Sequence, residues 1–118
     1  MNNIRNQFSN QNKFRNIRQT YNGYSYASRL EARTAANLDM MKKAIDKRQR
    51  VEKWERQHKI DLRVNGIHIA NYFVDFKVWF TDGRIEFWES KGMETDVFRI
   101  KFALTKAIYP EYNLVLIK

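Results

Sequence analysis

The chain contains no cysteine, which excludes disulfides, thiol catalysis and cysteine-ligated zinc together. Histidine is almost as scarce. His58 and His68 are the only two, too few for a histidine-based hydrolytic centre. No run approaches the ~18 consecutive apolar residues of a membrane span. The N-terminus also lacks an apolar signal core, so an intracellular protein without a membrane segment is expected. Acidic residues are absent until Glu31.

What the chain does have is positive charge. Lys and Arg total 22 against 13 acids in 118 residues, a formal net charge of +9. An excess of that size points to a polyanionic partner, with DNA the natural choice, and says nothing about fold. The bland alternative is a basic protein with no such partner. The length fits one domain, and 43% hydrophobic and 14% aromatic residues suffice for one core.

Residues 1–27 differ from the remainder. They are rich in Asn and Gln and carry Arg5, Lys13, Arg15 and Arg18, while their apolar residues are too sparse to build a core. A basic arm, flexible when alone, is expected there. It either embraces DNA or a partner subunit, or is a solvated tail. Residues 28–118 form the folded domain.

That domain should begin with a helix. Ser28 followed by Glu31 fits a capping box, and Leu30, Thr34, Leu38, Met41 and Ile45 recur at helical spacing. From Trp54 the period changes to two. Trp54, Arg56, His58, Ile60, Leu62 and Val64 share one strand face, ending at an Asn65-Gly66 hairpin turn. A long strand follows over 67–80, with Val74, Phe76, Val78 and Phe80 on one side and Asp75, Lys77 and Trp79 on the other. Asp82-Gly83 turns the chain into a third strand over 85–91, which Gly92 breaks. Thr95 or Asp96 caps a second helix with Val97, Ile100, Leu104, Ala107 and Ile108 as its apolar side. Pro110 stops it before a last strand over 114–117. The fold class is α/β.

Register decides what the acids can do. With a two-residue loop, Asp82-Gly83, Asp75 pairs with Ser90 and points away from Glu89. With a three-residue loop, Thr81-Asp82-Gly83, and Gly83 in the left-handed position, Asp75 falls directly opposite Glu89. Opposed side chains sit ~5 Å apart at Cβ, which one ion can bridge. Lys91 shares the face of Glu89 by alternation. Two facing carboxylates repel, and Mg²⁺ or Mn²⁺, with their preference for oxygen ligands, would offset that repulsion. The main-chain carbonyl of Ser90 is a further candidate ligand. Such a centre suits phosphodiester hydrolysis, with Lys91 orienting or deprotonating water or balancing phosphate charge. The competing reading is an Asp–Glu–Lys surface cluster. Glu31 reads locally as the acid of the capping box, with a ligand role as the alternative. Arg29, Arg99 and Lys101 are either phosphate contacts or plain surface charge.

With these residues in view, the chain resembles the PD-(D/E)XK nuclease superfamily, and in particular small phage proteins of the endonuclease I type that resolve branched DNA. Three segments carry the resemblance: SRLEA at 28–32, YFVDF…DGRIEFWESKG at 72–92, and TDVFRIKFALTKAIYPEYNLVLI at 95–117. It implies a restriction-endonuclease-like αβββαβ core, a central mixed sheet flanked by helices. It also implies Asp75 and Glu89 as metal-binding acids, Lys91 as the signature lysine and Glu31 as the glutamate completing the site. Activity on branched DNA in a Holliday junction resolvase-like manner, phage origin with action in a bacterial cytoplasm, and a homodimer with paired sites follow as expectations. Val74 stands where the signature proline would, and no C-terminal DNA-binding extension is expected. The alternatives are a nicking or double-strand endonuclease of other specificity, used in packaging or mobility, and a catalytically silent basic DNA-binding protein.

Overall fold

A computed structural model describes residues 18–91 and 93–118. The elements in order are β1 (Gln19–Tyr21), β2 (Tyr24–Tyr26), α1 (Arg29–Met41), β3 (Val51–Val64), β4 (Ile67–Phe80), β5 (Ile85–Ser90), α2 (Asp96–Ile108) and β6 (Asn113–Ile117). Strands β3, β4, β5 and β6 form one mixed sheet in that order. The first three are antiparallel and β6 runs parallel to β5, reached through the α2 crossover. None of the described helices is long and apolar enough to cross a membrane.

Local chemistry explains the ends. The Ser28 hydroxyl accepts from the Glu31 amide at 3.1 Å and the Thr95 hydroxyl from the Phe98 amide at 3.1 Å, so both helices start on side-chain caps. Asn65 and Gly66 take φ of 52° and 79°, the paired left-handed conformation of a two-residue hairpin turn. Gly83 takes φ of 92° and closes a three-residue loop. The Phe80 amide bonds the Arg84 carbonyl at 2.9 Å, and Trp79 pairs with Ile85. The odd loop that the facing acids require is therefore the one formed.

The sheet is covered on both sides. Ala32, Ala35 and Leu38 of α1 pack with Phe76, Val78, Phe80 and Trp88, whereas Phe98 of α2 packs with Ile60, Leu62, Tyr72, Val74 and Phe87. In β5, adjacent Phe87 and Trp88 belong to different clusters, which places the clusters on opposite faces. Each fully buried Leu or Phe contributes about 2 kcal/mol by leaving water.

Several expectations change. Helix α1 stops at Met41, and Ile45 beyond it is 94% exposed. Strand β3 begins at Val51, ahead of Trp54. On α2, Leu104 and Ile108 face the core as expected, joined by Phe98, Phe102 and Thr105, while Val97 and Ile100 are 62% and 65% exposed and Ala107 is exposed too. The larger apolar area of the Phe rings decides which face of the helix is buried. The arm expected over 1–27 is structured at its C-terminal end, where Asn22-Gly23 turns a hairpin. A lone two-stranded hairpin is marginal in water. Here Tyr26 is fully buried in the α1-side cluster, and the Tyr21 hydroxyl donates to Asp39 at 2.7 Å. Residues 1–17 and Gly92 lie outside the described residues.

One departure from regular strand geometry positions the candidate site. Val74 and Phe76, two apart in β4, should share a face, yet they join opposite clusters. In β3, Arg56 lies over the Tyr26 ring at 4.9 Å on the α1 side, and His58 lies 5.7 Å from Phe87 on the α2 side. Between them Gln57 takes φ of 53°, a left-handed conformation that costs a non-glycine residue about 1–2 kcal/mol. Both long strands therefore turn over at Gln57 and Asp75, so the expected single faces of 54–64 and 74–80 each divide in two.

Candidate metal centre

Asp75 sits where β4 parts from β5. The ladder runs from Trp79↔Ile85 to Phe76↔Trp88 and then gives way to side-chain bonds. Asp75 Oδ2 accepts from both the amide and the hydroxyl of Ser90, each at 2.9 Å. In return the Asp75 amide donates to Glu89 Oε1 at 3.3 Å. The two acids thus face one another across the fork, as the three-residue loop requires.

Glu89 is 3% exposed. Its Oε1 accepts from the Tyr72 hydroxyl at 2.9 Å, and its Oε2 lies 3.3 Å from Lys91 Nζ. The Lys91 side chain is about a third exposed, and its ammonium also lies over the Phe98 ring at 4.9 Å. Glu31 arrives from the first turn of α1. It is 6% exposed and is joined to the others through Gln57, whose Nε2 is 3.4 Å from Glu31 Oε2 and 3.3 Å from Asp75 Oδ1. The helix cap uses the Glu31 amide, while the Glu31 carboxylate is shared between a backbone bond to Ala27 and the Gln57 amide.

Burial is the main force on all three acids. It raises Glu31 and Glu89 above the usual carboxylate range, and the negative charge of Asp75 raises both further. Burial raises Asp75 as well, opposed by the Ser90 bonds and by Lys91. The Tyr72 hydroxyl is pushed far up by burial and by Glu89, so it remains a proton donor. Arg56 acts in the opposite sense on Glu31.

Among the described residues, no group of three or more His, Asp or Glu is arranged to hold an ion as it stands. The reason is visible in the bonds: the Gln57 amide stands between Glu31 and Asp75, and one Asp75 oxygen is taken twice by Ser90. The donor chemistry still suits Mg²⁺ or Mn²⁺. Mg²⁺ keeps several waters and needs only one or two carboxylates, which Asp75 and Glu89 supply. The Ser90 amide points at β4, and a strand residue directs its carbonyl to the same edge, so that carbonyl faces the fork as well.

The basic residues divide. Arg5, Lys13 and Arg15 lie outside the described residues. Arg18 donates to the Ser25 hydroxyl at 3.1 Å, and Arg29 is exposed at the start of α1. Arg99 is engaged by Glu94 and Asp96. Lys101 is half-buried, its ammonium on the Asn71 carbonyl at 2.9 Å, so it ties α2 to β4. Residue type alone did not separate these roles. Glu86, His58 and His68 stay outside the cluster, bonded to Arg84, Glu55 and Asp61 respectively.

Gln57 and Tyr72 were not legible as site residues. Tyr72 stands three residues before Asp75, on the wrong side of an unbroken strand, and only the turnover of β4 brings its hydroxyl to Glu89. The Asn65-Gly66 turn alone would level Gln57 with Val74. An extra residue in β4, Ile69, between the pairs Leu62↔Ala70 and Arg63↔His68, moves it level with Asp75.

A family model described as "Protein of unknown function (DUF1064)" matches residues 11–118, and the chain belongs to that family. No curated protein and no solved structure matches the chain.

Proposed function

We propose that this member of a family of unknown function is a metal-dependent DNA endonuclease that hydrolyses phosphodiester bonds. The observation that carries the reading is the convergence of Asp75, Glu89 and Lys91 at the fork between β4 and β5, with Glu31 joined to them. Asp75 and the buried Glu89 meet at the fork, with the buried Glu31 linked to Asp75 through Gln57, and each acid is raised by its surroundings, which favours a cation. An excess of acid at one point on a chain of net charge +9 is a local exception to its overall charge.

Bound Mg²⁺ or Mn²⁺ would act as Lewis acid on the phosphate and lower the pKa of a coordinated water. Asp75 and Glu89 would hold it, with the Ser90 carbonyl as a further oxygen. Tyr72 and the Asp75 amide fix the Glu89 carboxylate so that it cannot turn away. The Lys91 ammonium, held against Glu89 and Phe98, stands ready to orient water or to balance charge on the reacting phosphate. Glu31 completes the acidic wall from α1. Branched DNA is the substrate the family resemblance favours. Basic residues such as Arg29 would meet the backbone, so binding should weaken with salt. A homodimer would provide paired cuts.

The test incubates the full chain with a four-way junction, a linear duplex and single-stranded DNA, in Mg²⁺, Mn²⁺ or EDTA. Metal-dependent cleavage that is lost in Lys91→Ala and Asp75→Asn supports the reading. If the wild type binds DNA yet cuts none of the three in either metal, the occupied Asp75 oxygens favour a silent DNA-binding protein instead.

A further inference from the structure

Gln57 carries no charge, yet the fold departs from regularity to present it to two acids. Its backbone is left-handed in mid-strand, and the β3–β4 pairing passes from Arg56↔Phe76 to His58↔Val74 without it. Its backbone is level with Asp75, and its single amide nitrogen reaches both Glu31 Oε2 and Asp75 Oδ1. Those contacts, at 3.4 and 3.3 Å, are long for hydrogen bonds, as expected of a group that fills a space shared by two anions. The side chain is otherwise exposed, so it is free to turn.

Next to it, the site has donors without acceptors. The Tyr26 hydroxyl and Arg56 Nε are buried with no hydrogen-bond partner among the described residues, and Tyr26 is fully buried. Both lie within electrostatic reach of Glu31. Two buried donors beside a buried acid mark a place for an acceptor oxygen that is not the protein's own.

We propose that Gln57 is a further ligand of the metal centre, presenting its side-chain carbonyl oxygen, from the side of Glu31, to the divalent cation held at Asp75, and joining Glu31 and Asp75 by N–H donation when no cation is bound. The two states differ by a half-turn of the amide, which exchanges Nε2 and Oε1 at nearly the same positions. The donor face suits two anions, and the acceptor face suits a cation already held at Asp75. This rests on the nuclease reading of the same centre. It extends the centre from the β4–β5 fork to α1, and it assigns the left-handed residue in β3 to aiming that side chain.

The experiment measures Mn²⁺ and Ca²⁺ binding to the full chain by titration calorimetry, without DNA, alongside thermal melts in EDTA. Gln57→Leu, which keeps the bulk and removes the oxygen, is expected to bind Mn²⁺ about tenfold more weakly. Gln57→Glu, which keeps an oxygen at the same reach, is expected to restore binding to wild-type strength or better. Gln57→Leu and wild type binding within about twofold of each other, both folded, would overturn the ligand role and leave the nuclease reading standing. A wild type that takes up neither cation would overturn both.

Discussion

Replacing Glu89 by glutamine should make the fold more stable and the centre inert. The side chain is 3% exposed, and burying a carboxylate carries an effective penalty of several kcal/mol unless its partners offset it. In Glu89→Gln the retained Oε1 keeps the bonds from Tyr72 and the Asp75 amide. The lost contact is the one to Lys91, whose side chain is 31% exposed, so that ion pair contributes at most about 1 kcal/mol. The gain is relief of desolvation and of repulsion from Asp75, the two leading causes that raise Glu89. The net expectation at pH 7 is a stabilisation of about 1–2 kcal/mol, or roughly 4–8 °C in Tm for a domain of this size. The pH dependence fixes the sign. A raised carboxylate destabilises the fold as pH climbs past its unfolded value of about 4.3, and fully so above its folded value. The advantage of Glu89→Gln should therefore be largest near neutrality and vanish toward pH 4. Calorimetric melts of both proteins from pH 4 to 8, in EDTA, measure it. A variant less stable than wild type at pH 7 would refute the argument that Glu89 is a strained acid awaiting a cation.

Tyr72→Phe removes a buried donor to a charged acceptor and should destabilise the fold by about 2 kcal/mol at neutral pH, read from urea unfolding. Tyr26→Phe should be neutral or stabilising by up to about 1 kcal/mol, because the hydroxyl it deletes is buried without a partner among the described residues. A loss well above 1 kcal/mol would mean that the hydroxyl is satisfied in solution. Gly83→Ala meets nothing within 4 Å, so only its φ of 92° is at stake. The expected loss is about 1–2 kcal/mol in the same urea assay, and a neutral result would show that the loop relaxes.

The sequence by itself determined much of what neighbours a few residues apart govern. Ser28 and Thr95 set the helix starts and Asn65-Gly66 set the first hairpin of the sheet, while Asp82-Gly83 marked the second turn without fixing whether its loop holds two residues or three, on which the facing of Asp75 and Glu89 depends. These are local preferences of φ and of backbone donors, and they read the same in any fold. The tertiary structure alone decided the rest. The extra residue at Ile69 and the left-handed Gln57 break the period of two on which any strand reading relies, and so deliver Tyr72 to Glu89 and Gln57 to Asp75. Helix α1 brings Glu31 within reach of Gln57, and so of Asp75, only by packing Ala32, Ala35 and Leu38 against the sheet. Bulges and helix docking are set by which apolar surfaces pack best across the sheet, and that sum over distant residues leaves no local pattern in the sequence.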